Sequence, residues 1–139
     1  MTGYSEIAVV CAYDYGSTFL DFNAIFSNNA SGVMGFPSGT KTTWLKLTDG
    51  GLASDISVNG GASTDATRLA ALPTIQSPCV VQSWGFSASS ALRIGMDRTF
   101  AGRAWLGRIG EVVVFSSTLT AAQRDWVRQG LRRKWRISG

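Results

Sequence analysis

A chain of 139 residues and 14.8 kDa with formal net charge +4 is sized for one domain. Such a chain can bury about two-thirds of its unfolded surface without metal or disulfide staples. Hydrophobic residues make up 45%, charged residues only 16%, and Gly, Ser and Thr supply 44 positions, which excludes both a disordered chain and a charged helical bundle. There is no histidine, so the commonest general base, the serine and cysteine triads and most catalytic zinc sites are excluded.

The opening lacks a basic start, and its apolar run from Ile7 to Ala12 is interrupted by Tyr13, Asp14 and Tyr15. No signal peptide is expected, and no stretch approaches the roughly 20 apolar residues of a membrane span. The expectation is a protein that stays in the cell that makes it, or leaves by lysis or inside an assembly. Glu6 to Tyr13 reads as a first strand. Phe19, Leu20, Phe22, Ile25 and Phe26 form a looser second run, and Thr42 to Leu47 is rich in β-formers. Asp49-Gly50-Gly51 and Asn59-Gly60-Gly61 are turn signals, with Ile56 and Val58 marking a short strand between them.

Cys79 to Phe86 follows, bounded by Pro78 and the Ser-rich stretch 87–90, then Ala91 to Gly95 and the long run Trp105 to Phe115. Seven or eight short strands with turns between them imply an all-β, antiparallel two-sheet sandwich or jelly roll. Cys11 and Cys79 read as two buried free thiols. A disulfide between them requires their strands to be neighbours, so the pairing stays open.

The period then changes. Thr120-Ala121-Ala122-Gln123 is a capping box, which opens a C-terminal helix over about 120–135. At about 100° per residue, Trp126, Val127, Gly130, Leu131 and Trp135 fall on one side, and Arg128, Arg132 and Arg136 line the other with Arg124 at its edge. The expectation is a helix that packs its tryptophans on the sheet and shows an arginine ridge to solvent.

The residues from Leu92 onward resemble the concanavalin A-like, laminin-G-like jelly-roll family. The resemblance rests on Leu92-Arg93-Ile94-Gly95, on Gly107-Arg108-Ile109-Gly110-Glu111-Val112-Val113-Val114-Phe115, on Leu119-Thr120-Ala121-Ala122-Gln123-Arg124 and on the Leu131-Arg132-Arg133-Lys134-Trp135 ending. Val58-Asn59-Gly60 looks like a mid-domain turn of that family, while residues 14–55 follow it loosely. The resemblance implies a single laminin-G-like jelly-roll domain over 1–139. It also implies a mostly structural Glu111, and flanking apolar residues make that glutamate face a cation or turn amides. Gly107 and Gly110 within a strand suggest a bulge or a close backbone approach.

Relatives in the same superfamily hydrolyse glycosides with a carboxylate cluster, and retaining hydrolysis needs two carboxyls about 5 Å apart. This chain has Glu6 and Glu111 as its only glutamates, each isolated, and its aspartates are scattered singly. Calcium wants six to eight oxygens, and Asp21 with Asn23 is the one tight oxygen pair. The expectation is no enzyme, no metal site and no cofactor.

Ten of the thirteen cations lie between Arg93 and Arg136, and the last sixteen residues hold six against the single acid Asp125. Family members occur as bacteriophage particle proteins, which need no signal. The expectation is therefore a non-enzymatic virion protein made in the host cytoplasm, most simply a capsid decoration protein clustered as homo-oligomers at symmetry axes. Its partner is the major capsid protein or another virion protein, with no nucleic acid and no membrane. Arg124, Arg128, Arg132 and Arg136 are the candidate interface, because Arg pairs with carboxylates through a planar fork. The alternative is a carbohydrate-binding module, as in a tail fibre, with Trp44 or Trp84 stacked on sugar.

Overall fold

The computed structural model describes residues 3–14, 24–28, 33–35, 48–49, 52–53, 55–61, 75–88, 91–96, 102 and 104–138. They form β1 (Tyr4–Tyr13), β2 (Ala24–Asn28), β3 (Val33–Gly35), β4 (Thr48–Asp49), β5 (Leu52–Ala53), β6 (Asp55–Val58), β7 (Cys79–Ala88), β8 (Leu92–Ile94), β9 (Gly107–Phe115) and the C-terminal helix α1 (Ala121–Trp135). The protein is mostly β with a C-terminal helix. The strand expected at Thr42–Leu47 lies outside the described residues, as does most of the second apolar run.

A four-stranded sheet runs β6-β7-β1-β9, a three-stranded sheet runs β3-β2-β8, and β4 pairs with β5. Every pairing between these strands is antiparallel. The sequence explains why β1 is central. Its apolar run has no polar alternation, so both of its faces must be covered, and all but Ser5 of its ten residues are buried. Because successive side chains point to opposite faces, β1 feeds two cores. Ile7, Val9, Cys11 and Tyr13 pack with Ile25 and Phe26 of β2, Ile56, Ile75, Val81 and Trp105. Ala8 and Val10 pack with Val80, Leu131 and Ile137 under α1.

The chain leaves β6 through a turn at Asn59 and Gly60, both at positive φ (51° and 86°). The Asn59 side chain ties this turn to β7 by accepting the Val80 amide at 2.9 Å. Along β1 and β9 the register shifts between Val10↔Glu111 and Cys11↔Ile109, which leaves Gly110 as the extra residue of a bulge. The Trp135 ring lies on that glycine, 3.0 Å from where a Cβ would stand. At Gly107 a Cβ would collide with the Ala12 carbonyl oxygen.

The helix begins as its capping box requires, with Thr120 accepting the Gln123 amide and Gln123 accepting the Thr120 amide. Its orientation differs from expectation. Trp126 is 73% exposed, whereas Leu131 is buried. Trp126 stands about 140° around the helix from Leu131, while Arg124 and Arg128 stand within about 60° of it. The arginines therefore sit on the packing side, their apolar stems covering the sheet and their heads reaching polar partners. Trp135 stays on this side through its indole edge, although it is 42% exposed.

Leu131→Ala should lower unfolding stability by about 2–4 kcal/mol, whereas Trp126→Ala should change it by no more than about 0.5 kcal/mol, both read from urea titrations. Gly107→Ala should cost about 1–3 kcal/mol through overpacking against backbone that cannot swing away.

Candidate functional site

The inner side of α1 is organised by Glu6, a fully buried carboxyl in β1. Its Oε2 accepts the Leu119 amide at 3.0 Å and the Arg124 guanidinium at 3.2 Å, while Oε1 has no hydrogen-bond partner. The same guanidinium lies over the Trp84 ring, 4.4 Å from its centroid, an attraction between cation and π face. Gln82 of β7 donates to the Arg124 carbonyl at 3.0 Å. One side chain of β1 and two of β7 thus fix the first turns of the helix. Desolvation pushes the Glu6 carboxyl above the ordinary glutamate range, against the lowering effects of the Leu119 amide and Arg124.

Arg128 is also spent internally. Its head pairs with Asp125 and lies against Gly60 in the turn after β6, in the space a Cβ would fill. Asp125 further accepts from Gln129 at 2.6 Å. At the far end, Glu111 accepts from Trp135 Nε1 at 2.6 Å and from Lys134 Nζ at 2.9 Å, and these donors hold its carboxyl below the usual range. Glu111 meets a cation as expected, and the indole as well. Between β6, β7 and α1 a groove of about 280 Å³ is lined by Ser57, Gln82, Trp84, Arg124, Asp125 and Arg128.

The outer side of α1 is different. Ala122, Trp126, Gln129, Arg133 and Arg136 are all exposed. Toward the C-terminal end, Gln129, Arg132, Arg133, Arg136 and Ile137 line a shallow depression of about 330 Å³. The chain turns away there through Arg136 in the left-handed conformation, with the Arg136 and Ile137 amides closing the last carbonyls. Three guanidiniums thus gather where the helix dipole is negative, the favourable end for cations.

The expected ridge is therefore divided. Arg124 and Arg128 turn inward and bind Glu6 and Asp125, so they do not form an outward row. Arg132 is half-buried at the rim, and Arg136 is exposed. Trp84 is half-buried beneath Arg124, and Trp44 lies outside the described residues. Sequence reasoning missed Arg133 and placed Trp126 in the core. Their seven-residue spacing, two helical turns, was the available signal that they share a face. Among the described residues no group of three or more Cys, Asp or Glu could hold a metal ion.

No protein-family model matches the chain, and neither a curated protein nor a solved structure matches it.

The raised Glu6 carboxyl gives a signed pH dependence. The unfolded chain releases this proton near pH 4.3, and the native state releases it higher. Within that window the native state holds the extra proton, so stability falls as pH rises and levels off above it. Glu111 acts oppositely and loses its contribution as pH falls below the ordinary glutamate value. Glu6→Gln should abolish the fall on the alkaline side of about pH 4.3 and keep the acid-side loss, as read from urea midpoints across a pH series.

Proposed function

We propose that this chain is a non-enzymatic docking domain of the concanavalin A-like jelly-roll type. It attaches to an acidic protein surface through the outer face of α1 and serves as a decoration protein on a bacteriophage capsid. The observation that carries this reading is Trp126, 73% exposed on the solvent side of α1 and sharing that side with Arg133 and Arg136. Tryptophan and arginine are the residues that most often dominate binding at interfaces, and the guanidinium fork suits carboxylates.

Two further observations support it. The only two glutamates of the chain are both committed to structure, Glu6 under Arg124 and Glu111 under Lys134 and Trp135, so neither serves as a paired catalytic carboxylate. The sequence of β8, β9 and α1 carries the resemblance to jelly-roll proteins found in phage particles. In this reading the protein is made in the host cytoplasm, joins the virion and clusters with its own copies on the major capsid protein. A sugar-binding role fits less well, because Arg124 already covers one face of the Trp84 ring.

Sedimentation with capsids stripped of the protein tests the proposal. The double variant Arg133→Glu, Arg136→Glu, and separately Trp126→Ala, should keep the native circular-dichroism spectrum. Each should bind capsids at least about tenfold more weakly, and wild-type attachment should weaken with added salt. Undiminished attachment of both variants overturns the proposal. So does binding on a glycan array that Trp84→Ala abolishes, which establishes the carbohydrate-binding role instead.

A further inference from the structure

Cys11 and Cys79 lie 68 residues apart in sequence but are direct partners in the antiparallel register of β1 and β7. Residues opposed in this way have Cα atoms about 4.5–5.5 Å apart, inside the window of about 4.4–6.8 Å that a disulfide spans. Opposed residues also share a sheet face, and both cysteines belong to the same core cluster. The Cys79 thiol already donates to the Cys11 carbonyl oxygen at 3.4 Å, so its sulfur leans across the strand gap toward its partner. Both thiols are free and buried.

Their rung has a second property. Cys11↔Cys79 is the last rung of the β1–β7 ladder, and Cys79 is the first residue of β7. The residues before it, Gln76, Ser77 and Pro78, are exposed. Cys11 and Pro78 both line a cavity of about 180 Å³ that continues to Arg108, Gly110 and Trp135. A terminal rung opens locally without unfolding its sheet, which admits a small disulfide reagent to Cys79.

We propose that Cys11 and Cys79 form a cross-strand disulfide when the protein meets a thiol–disulfide oxidant such as glutathione disulfide, locking β1 to β7. The Cys79 thiolate attacks one glutathione sulfur and releases one glutathione thiolate. The Cys11 thiolate then attacks Cys79 Sγ and releases the second. Two cysteine thiols are oxidised, one S–S bond forms, one is broken, and two glutathiones leave carrying the two protons. In the reduced pair the hydrogen bond with Cys79 and then burial push the Cys11 thiol well up. Burial persists once Cys79 carries glutathione, so the second step is slow at neutral pH and faster in mild alkali. The bond encloses β2 to β6 in one covalent loop.

The test is oxidation of the full chain by glutathione disulfide at mildly alkaline pH, in one arm folded and in the other during refolding from denaturant. Each product is then unfolded and alkylated. The expected product is a monomer lighter by two hydrogens that takes up no alkyl group and melts roughly 10 °C higher than the reduced protein; a phosphine reductant reverses both changes. Cys11→Ala should instead trap a glutathione adduct on Cys79, which checks the order of attack. Two alkylated cysteines in both arms, a disulfide-linked dimer, or an oxidised monomer that melts lower overturns the proposal.

Discussion

Glu6 imposes the constraint around which the helix is placed. A carboxyl buried in a central strand is costly unless its oxygens are met by donors. Strand neighbours offer no charge here, since β7 faces it with Trp84 and β9 with Phe115. The donors come from beyond the sheet, from the Leu119 amide and the Arg124 guanidinium. Meeting them requires the chain after β9 to cross to this point and start a helix there. The capping box at Thr120 starts it in that place, and Arg124 arrives one turn later over Trp84. The position of the helix start and the inward turn of Arg124 follow from meeting one oxygen of this acid.

That dependence explains what the sequence made legible. Local chemistry was readable. The Asn59-Gly60 turn, the Thr120 cap, the unbroken apolar run of β1 and the partnered Glu111 each declare themselves within a few residues. The rotation of α1 was not readable, because hydrophobicity alone put Trp126 with Val127 and Leu131. The deciding partner, Glu6, lies 118 residues from Arg124 in sequence. Arginine read as a surface residue is ambiguous for a physical reason: its stem is apolar and its head takes whatever acid lies within reach. Arg124 found a buried acid and Arg128 an acid on its own helix. The register that sets Cys11 beside Cys79 was likewise invisible until the strands were ordered.

The two sides of α1 divide the labour. Among the described residues, Glu6, Asp125 and Glu111 are each paired with a cation of the helix. Outward, Arg133 and Arg136 add positive charge about two to three turns beyond the exposed Trp126 ring. A surface of this kind gives long-range attraction to an acidic partner and a short-range apolar anchor once contact is made.

The central place of β1 also has a kinetic consequence. It is the earliest of the described strands in the chain, yet it pairs on both sides with strands that come much later. Cys11 waits 68 residues for Cys79, and Glu6 waits 113 for the Leu119 amide. Loops of that length must close before any of these contacts stabilises anything, which places the fold among slow, high-contact-order topologies. During synthesis the apolar run Ile7–Ala12 is held in the open while the rest of the sheet is still being made. Its α1 side stays uncovered until α1 has been translated, so that helix is also the step that shields Ala8 and Val10 from aggregation.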